Sequence, residues 1–174
     1  TAAALVFSGT LSAPAQQAVP GCCMDQWNPS GIHRDHWRPE HMGPGQRQRM
    51  LRHWTFMNEG VPTAYRGARN TVEVTSDTVA EGRALYEANC APCHGMTGMG
   101  DGEAGRSLSP SPALLSYMLR MPMAVDEYLL WSISEGGERF DTAMPAFKDA
   151  LTRDEIWKVI AFMRAGFPQT QSKQ

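Results

Sequence analysis

Apolar positions spaced three or four apart mark out a run of helices, and no sustained period of two competes with them. Residues 46–58 form the first predicted helix. Met50, Leu51, Trp54 and Met57 share one face, Arg47, Arg49 and Arg52 are left for solvent, and Gly60 and Pro62 end it. Residues 61–75 read as an extended linker, with Val72 and Val74 alternating against polar neighbours. Thr78-Val79-Ala80-Glu81 has the pattern of a capping box and opens a helix to about Asn89. Val79, Gly82, Tyr86 and Cys90 recur along its inner face. Ser111-Pro112 is the expected start of a short helix through Leu114, Leu115 and Met118 that stops before Pro122. A further helix spans about 124–134, with Leu129, Leu130 and Ile133 inward and Gly136-Gly137 at its end. Thr152-Arg153-Asp154-Glu155 is a second capping box. The helix it opens carries Ile156, Val159, Ile160 and Met163 as its apolar stripe and ends at Gly166 and Pro168.

The remainder breaks this pattern. Residues 8–22 are small and proline-rich, and 22–42 show no hydrophobic period, so that stretch is expected to be a loop packed against something larger. Gly95, Gly98, Gly100 and Gly102, with Gly105 closing the stretch, predict a flexible surface loop. No internal repeat is visible. The expected class is all-α, divided into a signal-like or anchor remnant (1–21), an extension with one helix (22–75), a helical domain (76–168) and a flexible tail (169–174).

The chemistry lies between two of these helices, in Cys90-Ala91-Pro92-Cys93-His94. A C-x-x-C-H run is a c-type haem attachment site. Two thiols add across the two vinyl groups of haem as thioethers, and the histidine that follows is pinned beside the iron as proximal ligand. A thioredoxin-like redox pair or half of a zinc site are the competing readings. Neither requires a histidine directly after the second cysteine, and no second C-x-x-C completes a zinc site.

Covalent haem attachment takes place outside the cytoplasm, which implies a periplasm or equivalent compartment. Residues 2–7 are apolar and lead into Ser12-Ala13-Pro14-Ala15, whose small residues resemble a signal-peptidase site. The run is too short to span a bilayer. A clipped membrane anchor is an alternative, and Val19-Pro20-Gly21-Cys22 is loosely like a lipoprotein box that Pro20 fits badly. The 174 residues carry a net charge of -2. Residues 1–75 hold seven Arg against five Asp/Glu, and 76–174 hold nine Lys/Arg against thirteen Asp/Glu. Neither half is basic enough for nucleic acid.

Iron held by one histidine needs a sixth ligand or stays open to small molecules. Met144, in Thr142-Ala143-Met144-Pro145-Ala146-Phe147, lies between two helices, 50 residues beyond His94. A thioether is a soft neutral donor that favours ferrous iron and raises the potential. Met118, Met121 and Met123 are rivals: Met118 sits on a predicted helix face, and the other two come early. Most of the eleven methionines must be core filler.

With these motifs in order, residues 78–167 resemble a class I cytochrome c domain. They hold a helix, C-x-x-C-H, a Gly-rich loop, Pro112-Ala113-Leu114 as a Pro-x-Leu segment, Trp131 to Gly136, Met144-Pro145-Ala146-Phe147 and a final helix. The resemblance implies a cytochrome c fold around one covalent haem, here carrying an N-terminal loop-and-helix extension. Gly82 and Tyr86 on the first helix would meet Val159 and Phe162 on the last. The carbonyl of Pro112 would accept a hydrogen bond from His94, although Pro110 competes for this role and a helix start also explains Pro112. Leu114 belongs to the same segment. Trp131 and Trp157 would pack near the haem, or serve as ordinary core aromatics.

The resemblance implies a carrier of single electrons between membrane or periplasmic redox proteins, since His/Met coordination leaves no place for substrate. A haem peroxidase, or an enzyme with a second metal in 22–75, would need other chemistry. A haem-bearing subunit of a larger oxidoreductase complex would use the extension for docking. Cys22, Cys23, Met24, His33, His36 and His41 keep three fates open: a copper or zinc site, an intermolecular disulfide giving a linked dimer, or a docking segment. Lipid on a cysteine, and with it membrane tethering, is a further option.

Overall fold

The computed structural model describes residues 44–168. The expectations placed on 1–43 and on the 169–174 tail, including Cys22, Cys23 and the three histidines near them, lie outside the described residues. Among the described residues there are six α-helices: α1 (Pro44–Glu59), α2 (Ser76–Asn89), α3 (Ala91–His94), α4 (Leu115–Met118), α5 (Asp126–Glu135) and α6 (Arg153–Ala165). Short 3-10 turns lie at Glu103–Gly105 and Glu138–Phe140. Among the described residues there is no strand, as the helical periodicity predicts.

The frame is the crossing of α2 and α6. A Cβ built on Gly82 would stand 2.0 Å from the Lys158 carbonyl oxygen and 3.1 Å from Phe162 Cβ, so only a residue without a side chain lets the two backbones touch. Beside this contact the Tyr86 ring packs on Phe162 and Phe167, each with centroids 5.3 Å apart. Val159, Ile160, Ile156 and Trp157 fill the same core. Glu81 and Lys158 form an ion pair over the crossing. The sequence placed Glu81 in a capping box instead. Helix α2 starts one turn earlier, with Thr75 at the N-cap and Thr78 as its reciprocal partner: Thr75 Oγ1 accepts from the Thr78 amide at 3.2 Å, and the Thr75 amide donates to Thr78 Oγ1 at 2.8 Å. Two threonines three apart satisfy the same orphan amides as Thr and Glu do, and Asp77 then lies in the positive first turn. The second box, Thr152 with Glu155, forms as expected.

Helix α1 packs through a face rotated from the one its periodicity picked, with Leu51 common to both. Leu51 and Phe56 meet a second core of Val61, Met123, Tyr128, Trp131 and Phe140, Thr55 is buried, and Met57 is 40% exposed. Arg52, expected in solvent, is part-buried: it donates from Nη1 to Ser132 O at 2.8 Å and from Nη2 to Gly136 O. Its guanidinium lies over the rings of Phe140 (5.0 Å) and Trp131 (5.9 Å). The end of α5 leaves carbonyls without helical partners, and a planar cation over aromatic faces satisfies them, although burial lowers the Arg52 pKa.

Residues 61–75 are a strap rather than a free linker. The Asn70 amide donates to Asp126 at 2.7 Å, the Gly67 amide to Glu127 at 2.6 Å, and Asn70 Nδ2 to Trp157 O at 3.1 Å. The strap thus binds the acidic first turn of α5. Val74 is 65% exposed. Pro112 starts no helix, since α4 begins only at Leu115, and α5 begins at Asp126 rather than 124.

Gly82→Ala is expected to destabilise the haem-loaded protein by about 1–3 kcal/mol or more, as overpacking against an immovable backbone does. Denaturant midpoints measure this; an unchanged midpoint would mean the crossing is not as close as described.

Candidate haem site

Helix α2 delivers the attachment motif directly. Cys90 is both the C-cap of α2 and the N-cap of α3, and its amide donates to Tyr86 O at 2.8 Å. One further turn, closed by His94 N to Cys90 O at 2.8 Å, brings Cys90, Cys93 and His94 together. Pro92 falls in that first turn, where a missing amide hydrogen costs nothing. Tyr86 is fully buried, and its hydroxyl donates to Gly95 O at 2.7 Å, tying α2 to the end of the motif.

The glycine stretch is not a flexible surface loop. It folds back onto α3: a Cβ at Gly102 would stand 2.3 Å from Pro92 O, and one at Gly105 would stand 2.7 Å from Cys93 O and 2.6 Å from Pro112 Cγ. Glycine here serves close approach. The Gly100 amide also donates to His94 O at 2.8 Å.

Both cysteines are unpaired thiols of intermediate burial. Burial, and secondarily the neighbouring Cys93, pushes the Cys90 thiol up to about 12. Reactive redox thiols are displaced the other way. His94 Nδ1 lies 3.0 Å from Ala113 O. A carbonyl only accepts, so Nδ1 carries the hydrogen and the Nε2 lone pair is left for a metal. Burial pulls the His94 pKa below its usual value and so favours the neutral imidazole, and the Ala113 bond offsets part of that shift. The acceptor corrects the expectation for Pro112. The Pro112 carbonyl instead faces Gly100, at 2.8 Å from where a Cβ would lie, and its ring covers Gly105. The fixed φ of Pro112 still sets the course of this segment, but the carbonyl that reaches the ring is one residue later. Leu114 is 47% exposed.

Met144 is partly buried and packs against the same core cluster as Cys90, Leu115 and Leu119. Its backbone is held by the end of α5. The Gly137 amide donates to Met144 O at 2.7 Å. Gly136, at φ +63, lets the Pro145–Ala146 backbone approach within 2.4 Å of where a Cβ would lie. The Phe147 amide donates to Ile133 O at 3.2 Å, and Lys148 Nζ to Glu135 at 2.9 Å. Of the rivals, Met118 and Met123 belong to the second cluster, and Met121 is 39% exposed. Trp157 is buried in the first cluster, whereas Trp131 lies in the second, beneath Arg52 rather than among the residues around Cys90.

Two thiols on one turn, a neutral imidazole with one nitrogen free and a thioether on the same core make a donor set that fits covalent haem. Among the described residues no group of three or more His, Cys, Asp or Glu side chains is placed to hold another metal ion. The helical fold and this motif define a c-type cytochrome domain. Residues 77–163, half of the chain, match the family described as cytochrome c oxidase, cbb3-type, subunit III, and the chain belongs to that family. Searches of curated proteins and of solved structures found no match. The family implies covalently bound haem c and haem-based electron transfer. Sequence reasoning missed the Ala113 carbonyl and the Gly137 amide, because backbone groups leave no mark in residue type. It misassigned Arg52 because arginine is usually solvated.

The Lys148 and Tyr65 hydrogen bonds hold Glu135 below its usual 4.5. A carboxylate depressed in the folded state contributes stability above its unfolded pKa and loses it as pH falls through the folded one. Glu135→Gln is therefore expected to lower stability at pH 7, with the gap to wild type closing below about pH 4. Denaturation at several pH values tests this; a gap independent of pH would contradict it.

Proposed function

We propose that this chain carries single electrons through one haem per chain, covalently held by Cys90 and Cys93 with His94 and Met144 as axial ligands. The observation that carries the reading is a His94 ring held by Ala113 O together with a Met144 side chain packed on the same core cluster as Cys90, while Met118 and Met123 pack in the other cluster. When bound, haem c supplies a one-electron iron couple. The residues do the rest. Ala113 O holds the His94 ring so that Nε2 would be free to ligate the iron, and the Met144 thioether would supply the second ligand, leaving no open position for substrate. The buried Tyr86, Ile160 and Phe162 behind the motif keep that side of the site apolar. Such a site suits outer-sphere transfer and works against peroxidase chemistry, which needs a vacant position.

The chain works outside the cytoplasm, in the periplasm or tethered to a membrane facing it. No described helix is long and apolar enough to cross a membrane. The family description, together with α1 and the strap packed on the cytochrome domain, favours a subunit of an oxidase complex, or a carrier dedicated to one, over a free shuttle. Copurification from native membranes separates these two.

Met144→Ala is expected to abolish the weak long-wavelength band that ferric iron–methionine bonding produces, to lower the potential and to open iron to exogenous ligands. If Met121→Ala or Met123→Ala did this while Met144→Ala kept the band, the assignment is wrong. Replacing Cys90 and Cys93 together by Ala should leave the 76–168 segment largely unfolded, because so small a domain relies on the ring for its core. Native helicity without haem in circular dichroism would count against it.

A further inference from the structure

The peptide group joining Gly136 to Gly137 is held from both sides. Its carbonyl accepts from Arg52 Nη2, and its amide donates to Met144 O at 2.7 Å. A peptide unit is planar, so fixing the direction of its C=O fixes the direction of its N–H. Gly136 lies at φ +63 and ψ −155, a conformation open to glycine and with no side chain of its own to hold that plane. Arg52 supplies the hold. Its other nitrogen is anchored on Ser132 O at 2.8 Å, and its face rests on Phe140 and Trp131, so the guanidinium is locked before it reaches the peptide. Hydrogen bonds on the two sides of one peptide also polarise each other in the same direction.

We infer that Arg52 is a positioning residue for the distal ligand, acting across the Gly136–Gly137 peptide to fix where the Met144 segment stands. Residue 52 lies outside the matched stretch, 77–163. The extension thereby acts on the Met144 segment from a helix outside the matched stretch. This rests on the reading of Met144 as ligand.

Three variants of the haem-loaded full chain test it. Arg52→Leu keeps apolar bulk but removes both donors. Arg52→Lys keeps the charge but cannot span two carbonyls. Glu59→Ala breaks a different α1 contact, the exposed Glu59–Arg139 pair at 3.3 Å, and leaves the peptide alone. The probe is imidazole binding to the ferric protein, read beside the ferric methionine band and the midpoint potential. Arg52→Leu is expected to bind imidazole about tenfold more tightly than wild type, or about 1.4 kcal/mol, with a weaker band and a lower potential. Arg52→Lys should fall between, and Glu59→Ala should match wild type. Should Arg52→Leu fail to load haem, Arg52→Lys against Glu59→Ala carries the comparison. If Met144→Ala removes the band while both Arg52 variants behave as Glu59→Ala does, Arg52 has no such role. A band that survives Met144→Ala overturns the ligand reading itself.

Discussion

Everything in this domain depends on two helix backbones being allowed to touch. At Gly82 the space a side chain would need is already taken by the carbonyl of Lys158. That contact sets the separation of α2 from α6. It also buries Tyr86 against Phe162 and Phe167 and so fixes where α2 ends. Because Cys90 caps the end of α2 and the start of α3, the crossing decides the position of both thiols and of His94. Looser packing at residue 82 would be felt four residues later at Tyr86 and eight residues later at the first thiol.

The two sides of the site are built by unlike means. On the histidine side a single helical turn places three groups, and a glycine-lined segment wraps it so closely that backbone atoms replace side chains. On the methionine side no helix is available. Residues 142–147 have no regular secondary structure, and their position comes from the end of α5: the Gly137 amide, the left-handed Gly136, the Phe147 amide on α5 carbonyls and the Lys148–Glu135 pair. A helix terminus has unsatisfied carbonyls to offer, and here Phe147 and Arg52 divide them. Because the two segments are held by separate contacts, the His94 turn can stay fixed while the Met144 segment shifts.

Residue pattern revealed the all-α class, the Cys90-to-His94 motif and the helix from Thr152, and the resemblance to class I cytochromes c implied the meeting of Gly82 and Tyr86 with Phe162. The first three are legible because each is written in side chains: an apolar stripe, a thiol pair and imidazole, a threonine with a glutamate three later. What escaped was written in the backbone or in context. The carbonyl at His94 belongs to Ala113, a residue with no polar side chain to draw attention. Thr75 and Thr78 cap α2 in place of Thr78 and Glu81, since two overlapping boxes fit and only the packed structure chooses. Arg52 looked like a solvated charge on an amphipathic helix, because its partners are carbonyls and rings about 80 residues away in the sequence.

The central claim is that Met144 closes the iron site opposite His94. Its most direct test is the proton spectrum of the reduced holoprotein labelled at its methionine methyls. A methyl directly over the haem plane is shifted far upfield by the ring current. The account predicts one such methyl, assigned to Met144. No upfield methyl, or one assigned to Met118, Met121 or Met123, would contradict it.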